Sequence, residues 1–115
     1  MLKTGILNPQ VLSLLSRVRH TNTLVIADRG FPFWPEIETV DISLVDDIPR
    51  VLDVLRAIRG NYVIARAFMA EEFQGANTEP TRRAFAAAFE GVPRAIGLIR
   101  TGDTIQYANM ILESG

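Results

Sequence analysis

His20-Thr21-Asn22-Thr23-Leu24-Val25-Ile26-Ala27-Asp28-Arg29-Gly30 decides how this chain is read. Thr23–Ala27 is a short apolar, β-branched run with polar residues on both sides, which predicts a buried strand. Asp28 follows it directly, and in open α/β sheets ligands collect at the carboxyl ends of strands. Upstream, Asn8-Pro9 supplies an N-cap and a first-turn proline. Val11, Leu14, Leu15 and Val18 then recur at helical spacing, and Arg17, Arg19 and His20 sit in or just past the last turn.

Downstream, Gly30, Pro32 and Pro35 mark a loop, and Thr39–Ser43 alternates like a strand. Asp46-Asp47 and Pro49 precede Val51, Leu52, Leu55 and Ile58, an amphipathic helix stopped at Gly60. Acids at its start would suit the helix dipole and need no metal. Tyr62–Ala65, Ala95–Ile99 and Asn109–Leu112 read as further strands, with a third helix beginning at Thr78-Glu79-Pro80 and Thr101-Gly102-Asp103 as a tight turn. Arg100 reads as a surface or interface charge. The order predicts a single α/β domain over residues 1–115: a three-layer α/β/α sandwich with a mixed, mostly parallel sheet.

The 115 residues carry a net charge of −1, which removes the electrostatic footprint of a nucleic-acid binder and of a polybasic membrane anchor. With no cysteine there is no disulfide scaffold, thiolate nucleophile or cysteine zinc site. No apolar run is long enough to span a bilayer, and the first residues do not form a signal peptide, so a soluble cytoplasmic protein is expected. No phosphate loop, dinucleotide fingerprint or metal-ligand spacing is present, and neither a cofactor nor a metal is expected.

His20 is the only histidine. It either bonds the last carbonyls of the first helix or acts as a general acid/base. Asp28 either shapes the turn before Gly30 or binds a ligand. A strand over residues 23–27 would hold His20 and Asp28 roughly 15 Å apart. Either loops curl together or more than one subunit builds the site. Tyr107 and Asn109 share a face of an extended segment, with Ala108 on the other, and a phenol beside a carboxamide suits neutral polyols. The alternative is a solvated edge strand. Phe31, Phe33 and Trp34 add loop apolar surface that suggests a subunit interface, or a platform for a sugar face.

Three segments together resemble the D-ribose pyranase / L-fucose mutarotase family. They are Thr4–Pro9 running through the helix to His20-Thr21-Asn22, then Leu24–Pro32, then Ile99–Asp103 with Tyr107–Leu112. The resemblance implies a sandwich fold and closed homo-oligomeric rings, often decamers, with a monosaccharide held between adjacent subunits. It implies that the residue at His20 donates a proton and that Asp28, Tyr107, Ala108 and Asn109 contact the sugar, with no cofactor. The expected activity is exchange between ring or anomeric forms of a ribose- or fucose-like sugar. The alternative is a catalytically impaired sugar-binding or regulatory accessory of a sugar uptake or catabolic pathway. Family members usually carry a longer segment before the strand at Arg94, which in the pyranase branch supplies a second histidine. Here Glu90–Pro93 alone separates Phe89 from Arg94. Asn22 stands where the family has Asp, and Arg29 where a small residue is usual.

Overall fold

The computed structural model describes residues 1–69, 95–105 and 108–115. Its elements are α1 (Pro9–Arg17), β1 (Thr23–Ala27), β2 (Thr39–Asp41), α2 (Val51–Arg59), β3 (Ile64–Met69), β4 (Gly97–Arg100) and β5 (Met110–Ser114). The third helix expected from Thr78 lies outside the described residues.

The strands form one sheet in the order β2-β4-β1-β5-β3. β2, β4 and β1 pair in parallel, while β5 runs antiparallel to both β1 and β3. Among the described strands only β5 therefore opposes the common direction, and the mixed α/β sheet has the expected character. Alternation along β1 divides the core. Leu24 and Ile26 face α1 and α2, packing with Leu14, Val54, Ile58, Ile99 and Leu112. Val25 and Ala27 face the other way, onto Leu98, Ile111, Ile37 and Phe31. Gly97 allows the close approach of α1, because a Cβ there would stand 2.4 Å from a Leu14 methyl.

α1 begins as expected, with the Asn8 side chain accepting the Val11 amide at 2.9 Å. α2 begins differently. Asp46 and Asp47 lie in a turn before the helix rather than in its first turn. The first-turn acid is Asp53, which accepts the Arg50 amide at 2.8 Å. The loop after β1 also differs. Phe31 is 5% exposed and meets Trp34 edge-to-face at 5.1 Å, so it belongs to the second core, and only Phe33 projects into solvent. Arg100 is likewise no surface charge. Its side chain is 12% exposed, donates to the Phe31 carbonyl and lies 3.6 Å from Asp41. A guanidinium can satisfy several acceptors in a confined place where a shorter cation cannot.

Candidate active site

The antiparallel β1–β5 register sets the site's geography. It opposes Ile26 to Met110 at one end and Thr23 to Glu113 at the other. Asp28 and Asn109 thus meet beyond one end of the pair, although they are 81 positions apart, and the Asp28 amide donates to Asn109 Oδ1 at 2.8 Å. An N–H needs an oxygen partner, so this bond fixes the amide's orientation and leaves both Nδ2 protons to donate elsewhere. Asp28 is buried, and its Oδ1 accepts the Gly30 amide at 2.9 Å, which closes the tight turn. Among the described residues nothing bonds its Oδ2. An anionic acceptor beside an amide donor can hold a hydroxyl group both ways, giving a proton to one and taking one from the other. Ala108 is buried, and Tyr107 lies outside the described residues.

Below this pair the carboxyl ends of β1 and β4 are tied by Thr101. Its hydroxyl and its amide both donate to the Ala27 carbonyl, at 2.8 and 2.9 Å. On the rim, Arg29 forms a 2.8 Å ion pair with Asp46, so the unusual residue after Asp28 is directed at the 44–48 turn. Asp47 accepts the amide and hydroxyl of Thr104. The hydroxyl and amide bonds, aided by nearby Arg50 and Arg29, hold the Asp47 carboxyl below the ordinary aspartate range. Being lowered, its contribution to stability is present above the ordinary aspartate pKa and is lost as pH falls through the lowered one.

His20 sits at the opposite end of β1, exposed, in the connection from α1. The last carbonyls of α1 are taken by arginines: Arg17 Nε bonds Ser13, and Arg19 bonds Ser16 and Val18. His20 makes no hydrogen bond among the described residues, so the helix-terminus role has no support in the geometry. Its backbone is nonetheless held on both sides. The Arg19 amide donates to Asn22 Oδ1 at 2.9 Å, and the Asn22 amide to the Arg19 carbonyl at 3.0 Å. The Thr21 amide donates to Ser114, and the Ser114 amide returns to Asn22, both at 2.9 Å. The strand of five residues between them separates His20 from Asp28 by about 15 Å. One copy of the chain does not bring the two together.

Thr21 has φ +67°, a left-handed backbone that a β-branched residue adopts at a cost. Thr21→Gly should therefore raise stability by about 1 kcal/mol, the released strain exceeding glycine's extra unfolded-state freedom. A rise in the urea midpoint checks this, and an unchanged or lower midpoint contradicts it.

The whole chain, residues 1–115, matches the RbsD / FucU transport protein family, to which it belongs. A D-ribose pyranase of Geobacillus kaustophilus is 37% identical over 129 residues, spanning 100% of this chain and 94% of its own. One from Bacillus mycoides is 34% identical over 128 residues, spanning 100% and 98%. Among solved structures, Bacillus subtilis RbsD complexed with D-ribose superposes with a TM-score of 0.82 at 28% identity, covering 100% of this chain and 98% of that one. The fucose mutarotase of Streptococcus pneumoniae in complex with L-fucose shares the fold, with a TM-score of 0.68 at 18% identity, covering 94% and 92%.

Sequence reasoning passed over Asp103 and Thr101 as site-building residues. Only the turn between them was visible, because their partners lie on other elements.

Proposed function

We propose that this chain is a mutarotase or pyranase that exchanges the ring or anomeric forms of a free monosaccharide, ribose- or fucose-like, in the cytoplasm. The observation that carries the reading is the Asp28–Asn109 pair, a buried carboxylate and an oriented carboxamide at a strand end, in a chain related to D-ribose pyranases. In this reading a single domain assembles as a homo-oligomer, and His20 of one copy faces Asp28, Tyr107, Ala108 and Asn109 of its neighbour. The distance between His20 and Asp28 within one copy supports a shared site. So does apolar surface near Asp28: Leu44, Val45, Ile48, Leu52 and Ile105 are each more than half exposed around the Asp47–Thr104 contact.

The chemistry moves protons and one C–O bond. A proton delivered to the ring oxygen, and one removed from the anomeric hydroxyl, breaks the bond between C1 and the ring oxygen and leaves an open-chain aldehyde. Attack by a different hydroxyl changes ring size, and attack on the other face of the carbonyl changes the anomer. Each reclosure reverses the two proton transfers, so His20 ends as it began. No electrons leave the sugar, so the reaction calls for no redox cofactor. Asp28 and Asn109 hold hydroxyls while the chain opens and closes.

A second reading keeps sugar binding without turnover, and the presence of a single histidine favours it. Saturation-transfer NMR on D-ribose and L-fucose separates the two. Exchange faster than in buffer for either sugar supports the enzyme. Binding of a sugar without faster exchange supports the accessory protein.

A further inference from the structure

Asp103 is a buried carboxylate to which the proposed chemistry gives no part. It is 4% exposed, and no cation among the described residues pairs with it. Instead each oxygen accepts a backbone amide from a different element. Oδ2 takes Val51 at 3.0 Å, the first residue of α2. Oδ1 takes Ile105 at 2.9 Å, in the segment that leads to Asn109. One side chain thus caps a helix 52 positions away and shapes the approach to the candidate sugar site.

The hydrogen bonds form a closed circuit. Asp103 Oδ1 holds the Ile105 amide, and the Ile105 carbonyl accepts the Ala108 amide at 3.3 Å. Next to Ala108, Asn109 Oδ1 accepts the Asp28 amide. Next to Asp28, the Arg29 amide donates to the Asp103 carbonyl at 3.1 Å, which returns the circuit to its start. The Asp103 amide, finally, donates to the Thr101 hydroxyl that is bonded to Ala27. Both sugar-facing groups, the Asp28 carboxylate and the Asn109 amide, are therefore set by backbone that Asp103 fixes. A carboxylate suits this place because it only accepts, and both groups facing it are donors.

We infer that Asp103 is a positioning residue for the sugar site, its carboxylate acting through the Ile105 amide on Asn109 and, through the Asn109 bond to the Asp28 amide, on Asp28; this rests on the function proposed above. Asp103→Asn keeps the size but turns an NH2 toward one of two N–H donors, so one bond is lost. The expected result is a KM for D-ribose, or for whichever of D-ribose and L-fucose the wild type exchanges, raised about tenfold with kcat within about twofold, the pattern of weakened substrate binding. A merely structural role predicts lower thermal stability without that split. Val54→Ala, which removes buried methyl groups from α2 away from the circuit, is the control, with a lowered Tm and an unchanged KM expected. Ile105→Pro is the second variant. It deletes the N–H on the site side and fixes φ there, leaves the Val51 bond in place, and should give the same rise in KM with α2 intact and the oligomer unchanged in size.

Independent of any activity, the amide resonances of Asp28 and Arg29 and the side-chain NH2 of Asn109 should shift in sugar-free Asp103→Asn and Ile105→Pro and stay in place in Val54→Ala. If the wild type neither exchanges nor binds either sugar, the proposed function fails and these resonances alone decide the role of Asp103. A wild-type KM together with unmoved resonances in Asp103→Asn and Ile105→Pro overturns the inference.

Discussion

Replacing His20 with alanine is expected to slow sugar exchange by about 10²–10⁴-fold, the range a single positioned acid/base contributes. The side chain is exposed and makes no hydrogen bond among the described residues, so the fold should not register its loss. Tm should stay within about 2 °C of the wild type. Binding of the sugar should also persist, because the proposed function assigns the hydroxyls to Asp28 and Asn109 rather than to the imidazole. The combination of lost turnover with kept affinity and stability identifies an acid/base. Retained exchange in His20→Ala would remove His20 from the mechanism.

Gly102→Ala is expected to produce the largest loss of stability. A Cβ at Gly102 would stand 2.3 Å from the Val45 carbonyl oxygen and 3.0 Å from that of Ile48. Both obstacles are backbone, so no side chain can swing aside. The turn is also fastened there. The Gly102 amide donates to the Pro49 carbonyl at 2.9 Å, and its carbonyl accepts the Asp47 amide at 2.6 Å. Moving the turn strains both bonds and shifts Thr101 and Asp103 with it. Overpacking of this kind costs about 3 kcal/mol or more, a fall in Tm of roughly 10 °C or more. Gly60→Ala is the comparison. Gly60 has helical backbone with φ −68°, and a Cβ there would meet nothing closer than the Ala57 carbonyl at 3.8 Å. It should be neutral within about 0.5 kcal/mol. Equal Tm values for the two variants would refute the steric account of Gly102.

What was legible in the sequence is what depends on neighbours in the chain. Asn8-Pro9 with its apolar periodicity announces α1, and five apolar or β-branched residues announce β1. The separation of His20 from Asp28 follows from that strand length alone. Elements whose limits depend on pairing were less legible. β5 continues through Glu113 and Ser114 beyond its apolar run, because the ladders to β1 and β3 carry it on. β3 starts later than Tyr62 and runs to Met69, and includes Arg66, which pairs with Glu113 across the ladder at the sheet edge. Asp46 and Asp47 resemble helix-start acids until the structure shows Asp47 turned to Thr104 by a left-handed backbone, φ +65°. Besides Asp53, the start of α2 is held by Asp103, from the far side of the sequence, rather than by Asp46 or Asp47. The contact of Asp28 with Asn109 was equally hidden. Each residue stood out separately, and only the β1–β5 register brings them together.

If His20 and the Asp28–Asn109 pair act together across two copies of the chain, two differently damaged copies should complement each other when mixed. His20→Ala and Asp28→Asn are each expected to be inactive alone. Co-expressed in equal amounts, they form oligomers in which about one shared site in four combines an intact His20 with an intact Asp28. Recovery of about one quarter of wild-type exchange is expected in the mixed oligomer. Two inactive parents whose mixed oligomers stay inactive would contradict a site shared between copies.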